Sequence, residues 1–235
     1  MTSTPLQTSD ISIIIPTLNE EAQIGKWLEL RSLVSGCPIK CEIILVDGGS
    51  SDQTVPLAQS HGFRVESSKA GRGAQLNHGA GLAGGRILLF LHADTRLPSG
   101  FATPILECLS SPTTIAGAFR LSIQDGGLLL AFICFWANLR SRLLQLPYGD
   151  QAIFIRHDDF LRLGGFPETP IMEDFIFIKK AARQGRITTL PLSITTSARR
   201  WQRKGILRTT LINQLVILGF YARVPLQKLT SLYRR

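Results

Sequence analysis

The chain has 235 residues, 44% of them hydrophobic and 8% aromatic, values that are typical of a globular protein and exclude a disordered one. Its length suits one sizeable domain with a short appendage. The net charge of +9 is uneven, because residues 1–178 carry 13 basic and 17 acidic residues, whereas residues 179–235 carry 13 basic residues and no acid. A basic segment of this kind is either a solvated face or a surface for an anionic partner such as lipid headgroups or phosphates.

The four cysteines are scattered along the chain, and the first ten residues form a short polar segment rather than a leader peptide. Both features predict a cytoplasmic setting with free thiols. Cys37 and Cys41 would make half of a metal site, but no second pair completes it.

The first 110 residues alternate short β-branched runs with helical patterns, which predicts β-α units and a mostly parallel sheet flanked by helices. The predicted strands are residues 11–15, 43–46, 62–66 and 87–91, and the predicted helices are residues 20–34 and 71–83.

The second half of the chain is less regular. Residues 116–123 and 151–155 are predicted strands with an apolar helix, residues 128–144, between them. Residues 172–183 form a predicted helix with two acids in its first turn, where the helix dipole favours negative charge.

The C-terminal segment contains a predicted apolar helix, residues 206–221, with basic residues on both sides. Neither this stretch nor residues 128–137 contains the roughly 20 apolar residues that a membrane span requires. Each is therefore predicted to be a packed or interfacial helix.

Polar segments follow three of the predicted strands, at residues 16–20 (PTLNE), 47–52 (DGGSSD) and 92–95 (HADT). In open α/β sheets, ligands bind beyond the carboxyl ends of the strands. Asp47 is suited to accept a hydrogen bond from a base, and Asp94 is suited to hold a divalent cation that bridges two phosphates. Each segment also has the composition of an ordinary turn.

These three segments, followed by the Glu173-Asp174 pair, occur in the order found in the family 2 glycosyltransferases with the GT-A fold, which the chain resembles over about residues 11–200. Residues 148–151 (YGDQ), 172–174 (MED) and 197–201 (SARRW) are similar to a small bacterial subfamily associated with arsenosugar biosynthesis.

The resemblance implies a nucleotide pocket lined by Pro16, Thr17 and Glu20, with Asp47 reading the base, usually uracil. Arg72, Gln75 and Asn77 belong to a glycine-rich segment near the donor phosphates, and glycines at a helix entry suit phosphate binding.

The family's Asp-X-Asp motif corresponds to His92, Ala93 and Asp94. The resemblance implies a Mn²⁺ or Mg²⁺ ion at Asp94, but His92 replaces the first aspartate. His92 is therefore either a metal or phosphate ligand or a structural residue at the strand end.

The resemblance implies that the acid pair is catalytic. Asp174 would be the base of an inverting transfer, with Glu173 beside it. Asp150 and Gln151 either contact a sugar or form a turn. Arg200 and Trp201 either close over the donor or belong to the basic tail.

The sequence therefore predicts a GT-A catalytic domain over residues 1–200 and a basic helical tail over residues 201–235. The predicted function is transfer of a sugar from a nucleoside diphosphate donor, with UDP-sugar favoured, to a hydroxyl acceptor. Lipid-linked acceptors are included in this prediction. The expected location is cytoplasmic, with peripheral contact at the inner face of the plasma membrane.

Three other classes of protein share some of these features. A nucleotide-sugar-binding accessory protein that has lost catalysis is the alternative. A nucleic-acid binder is disfavoured because the basic segment matches no recognised module. A sugar nucleotidyltransferase would have a glycine-rich loop after the first strand, where this chain has PTLNE.

Overall fold

The computed structural model describes residues 9–124, 127–199, 201 and 205–234. Seven strands form one sheet in the order β3-β2-β1-β4-β6-β5-β7. The strands are β1 Ser9–Thr17, β2 Cys41–Asp47, β3 Arg64–Ser67, β4 Gly85–Phe90, β5 Thr114–Ile123, β6 Phe154–Arg156 and β7 Arg186–Thr196. The short strand β6 is antiparallel to β4 and β5, and the other pairs are parallel. The prediction of an α/β fold with a mostly parallel sheet is confirmed.

Nine α-helices whose bounds lie within the described residues accompany the sheet. They are α1 Ile24–Ser35, α2 Thr54–Ser60, α3 Arg72–Leu82, α4 Ala102–Ser110, α5 Gly127–Leu144, α6 His157–Arg162, α7 Glu173–Ala181, α8 Ile206–Tyr221 and α9 Leu226–Arg234. Two apolar clusters, which draw alternate residues of β1, bury the two faces of the sheet. Such alternation explains why the run in β1 is continuously apolar.

Some predicted elements change bounds. The helix expected from residue 20 begins at Ile24, because Glu21–Gln23 form a 3₁₀ turn. The strand expected over residues 151–155 is confined to Phe154–Arg156, since Gly149–Gln151 form another 3₁₀ turn and Ala152 has a φ of 50°. Strand β7 and helices α4, α6 and α9 have no counterpart among the predicted elements.

Helix α5 corrects one expectation. Among the helices of the described residues, it is the one that is long and apolar enough to cross a membrane, judged by length and composition. The apolar run of residues 128–137 alone is too short to span a bilayer, but the helix continues to Leu144.

The C-terminal helices α8 and α9 form a pair that packs on the rest of the protein. Ile212 and Val216 of α8 and Leu229 of α9 bury Ile171, which precedes α7. The basic segment is therefore joined to the main body through an apolar contact of its own.

Candidate active site

A cavity of about 260 Å³ lies beyond the carboxyl ends of the strands, between the start of α3, the loop after β4, the start of α7 and the pair α8–α9. It is lined by Arg72, His92, Tyr148, Asp150, Pro170, Ile171, Met172, Glu173, Asp174, Phe175, Asn213, Val216, Ile217 and Tyr233. Five predicted site residues meet here, namely Arg72, His92, Asp150, Glu173 and Asp174. Charged groups from the main body thus share the cavity with Asn213, Val216 and Ile217 of α8.

The carboxylate of Asp174 is fixed by the backbone. Its Oδ2 accepts a hydrogen bond from the N–H of Gly149, and its Oδ1 accepts one from the N–H of Phe175 at 2.7 Å. A Cβ at Gly149 would lie 2.8 Å from Asp174 Oδ2 and 3.2 Å from His92 Nε2. Only glycine therefore allows the 148–151 turn to approach Asp174 this closely.

The neighbouring carboxylate of Glu173 is in a different environment. Glu173 is 4% exposed, and its Oε1 lies 3.2 Å from Nε of Arg72. Burial raises the pKa of the Glu173 carboxyl more than Arg72 lowers it, and Asp174 adds to the rise. Burial opposes the charge of Arg72, but Glu173 and Asp174 outweigh it and raise the pKa of the guanidinium, which stays charged.

Arg72 reaches the cavity because of the glycine before it. Gly71 has a φ of 131°, a conformation that L side chains rarely adopt, and α3 begins at the next residue. From there Nη1 of Arg72 lies 3.3 Å from Nε2 of His92. The guanidinium thus contacts both His92 in the loop after β4 and Glu173 of α7.

The predicted nucleotide residues lie at the ends of β1 and β2, and Asp47 and Thr17 are not among the residues lining the cavity. Asp47 is 4% exposed, and its Oδ2 accepts hydrogen bonds of 2.8 Å from the N–H groups of Gly49 and Ser50. Its Oδ1 accepts from the hydroxyls of Ser50 and, at 3.4 Å, Thr17. The carboxylate therefore also organises its own turn.

Glutamine 75 holds the two strand ends together. Gln75 Nε2 donates to the carbonyl oxygens of Thr17 and Val46 at 2.9 and 2.8 Å. Because Gln75 follows Arg72 by one turn of α3, a single helix connects the strand ends with the cavity.

Two basic residues not among the predicted site residues adjoin this edge. Arg199 Nη2 pairs with Oε2 of Glu20 at 2.9 Å, and Lys26 Nζ donates to the carbonyl oxygen of Asp94 at 2.8 Å. Burial lowers the pKa of Lys26, although Asp94 opposes this. No sequence signal distinguishes Lys26, on the first turn of α1, from a solvent-exposed lysine. Arg199, in contrast, lies inside the segment that carries the family resemblance.

Other predicted site residues have structural partners. Asn77 exchanges two hydrogen bonds of 2.8 Å with the backbone of Phe166. Gln151 is fully buried and donates to the carbonyl of Phe119. The carbonyl of Ala93 accepts from the indole N–H of Trp27.

The remaining predictions fall at the edges of the site. Pro16 pairs with Val46 between β1 and β2, and Trp201 is half-buried. Arg200 lies outside the described residues.

Within the described residues, the predicted metal site depends on Asp94. Among the described residues, no group of three or more His, Cys, Asp and Glu side chains is arranged to hold a metal. The half-exposed Asp94 carboxylate accepts a bond of 3.3 Å from the Thr196 hydroxyl and remains a hard oxygen donor. His92 Nε2 is turned to Arg72 instead.

Solved glycosyltransferase structures share this fold at low sequence identity. A mannosyltransferase from Pyrobaculum calidifontis, in complex with GDP-Man and Mn²⁺, superposes with a TM-score of 0.66 at 22% identity, covering 92% of this chain and 65% of that one. Glucosyl-3-phosphoglycerate synthase from Mycobacterium tuberculosis, in complex with Mn²⁺, UDP and phosphoglyceric acid, gives a TM-score of 0.56 at 22% identity, with coverages of 79% and 69%. The fold is therefore of the GT-A type.

Curated relatives match part of the chain. Dodecaprenyl-phosphate galacturonate synthase from Rhizobium johnstonii is 28% identical over 58% of this chain. Undecaprenyl-phosphate 4-deoxy-4-formamido-L-arabinose transferase from Pseudomonas aeruginosa is 29% identical over 63% of it. Each match covers 44% of the relative's length, so the chain spans less than half of either protein.

The family model described as Glycosyl transferase family 2 matches residues 12–161, which is more than half of the chain. This match includes the three polar segments after β1, β2 and β4. The chain therefore belongs to glycosyltransferase family 2.

Proposed function

We propose that this chain is an inverting glycosyltransferase that moves a sugar from a nucleoside diphosphate donor to a hydroxyl acceptor. The observation that carries the proposal is Asp174, a carboxylate fixed by two backbone N–H groups at the wall of a cavity. A carboxylate that accepts these two hydrogen bonds has further lone pairs for an acceptor hydroxyl.

In the proposed reaction the acceptor oxygen attacks the anomeric carbon from the side opposite the diphosphate. The bond from that carbon to the diphosphate oxygen breaks, its electron pair stays on the nucleotide, and Asp174 takes the hydroxyl proton. Arg72 stabilises the negative charge, and the buried Glu173 holds Arg72 in position. In this proposal Asp174 is the base and Glu173 positions the arginine.

The proposed donor side comprises the ends of β1 and β2, with UDP as the favoured nucleotide. The side chains of Asp47 and Thr17 lie next to each other there, and the Glu20–Arg199 ion pair flanks them. Asp94 would hold Mn²⁺ or Mg²⁺, with the other ligands coming from the diphosphate. When bound, the cation would neutralise the leaving group.

The acceptor side of the cavity is amphipathic, which supports an acceptor with a polar head and an apolar tail. Met172, Val216 and Ile217 contribute apolar surface to the cavity that also contains the acids. The two relatives described above are named for polyprenyl phosphates. We propose a lipid-linked acceptor, a cytoplasmic location with peripheral membrane contact through the basic tail, and a catalytic domain over residues 1–200. The arsenosugar subfamily stays a prediction from sequence.

The test is Asp174→Asn. We expect UDP-sugar hydrolysis in Mn²⁺ to fall by roughly 10² to 10⁴, the usual contribution of a general base. The affinity for UDP, measured by calorimetry, should stay within about twofold, because the proposed nucleotide residues Asp47 and Thr17 lie outside the cavity that Asp174 lines. Asp158→Asn, an exposed acid on α6, is the matched control. Turnover of Asp174→Asn equal to that of the native chain would remove Asp174 from the mechanism.

A catalytically impaired nucleotide-sugar-binding protein is the second candidate. The observation that favours it is His92 in place of an acid, with its Nε2 against Arg72. Calorimetry with UDP and Mn²⁺ beside a donor-hydrolysis assay separates the two functions. Tight binding without cleavage of any donor supports the second candidate, and cleavage supports the first.

A further inference from the structure

Helix α5 has an apolar face that the rest of the protein leaves uncovered. Leu130, Cys134 and Ser141 form its buried side. The opposite side exposes large apolar residues, from Trp136 at 53% exposed to Leu128 at 92%. The other members of this face are Phe132, Phe135 and Leu143. A contiguous exposed apolar patch of this kind marks an interaction surface.

This helix cannot cross a bilayer in this fold, because it is attached to the sheet along its length. Strand β5 precedes α5 and β6 follows it, and the two strands pair with each other. Near the middle of the helix, Asn138 exchanges hydrogen bonds of 2.7 and 3.0 Å with the backbone of Leu121. Further along, Ser141 bonds the hydroxyl of Thr189 in β7 at 2.7 Å. The apolar face therefore lies along the surface of the domain.

Helix α8 has a second face of the same kind. Its buried side packs on Ile171 through Ile212 and Val216. Its outer side exposes leucines at intervals of three or four residues, which places them in one row. They are Leu207, Leu211, Leu215 and Leu218.

A series of cation–π and edge-to-face aromatic contacts connects the ends of these two helices beside the cavity. The guanidinium of Arg140, on α5, lies 3.4 Å from the ring centroid of Tyr148. The ring of Tyr148 is 6.0 Å from that of Phe175, which is 5.2 Å from that of Phe220 on α8. Tyr148 and Phe175 also line the cavity, so the two helices end on either side of it.

The charged residues within both helices have one sign. Neither α5 nor α8 contains an acid, α5 ends with Arg140 and Arg142, and residues 179–235 contain 13 basic residues and no acid. Helices that combine an apolar face with flanking arginine and lysine lie in the interface of anionic bilayers, where the charges meet lipid phosphates.

We propose that α5 and α8 together form a membrane-docking surface for an anionic bilayer, with the mouth of the cavity between them. An amphiphilic acceptor would then enter the cavity from the membrane. The proposal adds α5 to the membrane contact proposed for the basic tail, and it does not depend on glycosyl transfer.

The experiment is flotation of the full chain with vesicles of phosphatidylcholine and phosphatidylglycerol (7:3) and with phosphatidylcholine alone. One variant carries Phe132→Ser and Phe135→Ser on α5, and another carries Leu211→Ser and Leu218→Ser on α8. The control carries Leu57→Ser and Leu161→Ser, exposed leucines on α2 and α6. Trp136, kept in all variants, reports insertion through quenching by brominated lipid.

We expect the native chain to float with the anionic vesicles and Trp136 to be quenched. Each of the α5 and α8 variants should bind at least about tenfold more weakly, since each loses two large apolar side chains. The control should bind within about twofold of native. Hydrolysis of UDP-sugar without vesicles should be unchanged in all three, which also shows that they are folded.

Three results would overturn the proposal. The first is a native chain that stays with neither kind of vesicle, and the second is an α5 variant that binds like native. The third is a native dimer that both variants convert to monomer, which would make a second copy the occupant. Donor hydrolysis without vesicle binding would contradict the docking surface alone. Vesicle binding without cleavage of any donor would contradict the proposed function alone.

Discussion

Two adjacent carboxylates, Glu173 and Asp174, occupy the first turn of α7 and differ in their burial and in their partners. Asp174 accepts hydrogen bonds from two backbone N–H groups at the cavity wall, and Glu173 is buried against Arg72. The sequence identifies the pair but not this division. Arg72 lies about a hundred positions earlier in the chain, so its contact with Glu173 follows from tertiary packing, which no local pattern encodes.

The raised pKa of Glu173 makes stability depend on pH. An ordinary glutamate titrates near 4.5, so above that pH the native state keeps a proton that the unfolded state has released. The free energy of unfolding contributed by this group is therefore largest below pH 4.5 and falls as pH rises towards the native pKa. In Glu173→Gln this part of the pH dependence should vanish, as measured by urea unfolding between pH 4 and 8.

Glu168→Gln, at an exposed position paired with Lys69, is the matched control and should retain the native pH profile. A constant difference between Glu173→Gln and the native chain at every pH would contradict the assignment, because it would mean that Glu173 has the same pKa in both states.

At the scale of elements, helix α3 is placed by a glycine. A Cβ at Gly79 would lie 2.5 Å from Ile14 Cγ2 and 2.9 Å from Val46 Cγ2, whereas a Cβ at Gly81 meets nothing within 4 Å. Gly79 therefore lets α3 approach β1 and β2 closely enough for Gln75 to reach both strand ends.

Two alanine substitutions on this helix should act in opposite directions. Gly79→Ala forces α3 off the sheet and should lower the free energy of unfolding by about 1 to 3 kcal/mol. Gly81→Ala should raise it by about 0.5 to 1 kcal/mol, since alanine is the better helix former and the site has room. Denaturant melts of both variants check this, and equal effects would contradict the packing described for α3.

The central strands were predictable because β1, β2 and β4 are buried on both faces and therefore continuously apolar. Strand β7 was not, because Pro191 lies inside it and a proline weakens a strand pattern. The register between β5 and β7 shifts at this place, from Ala118 opposite Thr189 to Arg120 opposite Ser193. The irregular pairing accommodates the missing N–H.

For the whole molecule, the predicted nucleotide edge and the cavity meet on one side of the sheet, but the cavity itself was not predicted. Its outer wall comes from α8 and α9, at the far end of the chain. Sequence patterns placed the apolar helix α8 correctly, yet its partner Ile171 could be found only from the fold.

A ligand that binds the native state should stabilise the whole molecule. We expect UDP with Mn²⁺, at about 100 times its Kd, to add about 2.7 kcal/mol and raise the Tm by several degrees. Uridine, which lacks the phosphates, is the control and should shift the Tm far less. Thermal melts with a panel of nucleotides check this, and a panel without any shift would contradict nucleotide binding.

Helix α3 also sets a length. Gln75 and Arg72 are three residues apart on one rigid helix, about 4.5 Å along its axis. This interval separates the amide that joins the strand ends from the guanidinium that pairs with Glu173. In the proposed reaction the diphosphate of the donor has to extend over that interval, from the nucleoside at the strand ends to the sugar in the cavity. We expect donors with a single phosphate between nucleoside and sugar to be rejected, because the anomeric carbon would stop short of the base.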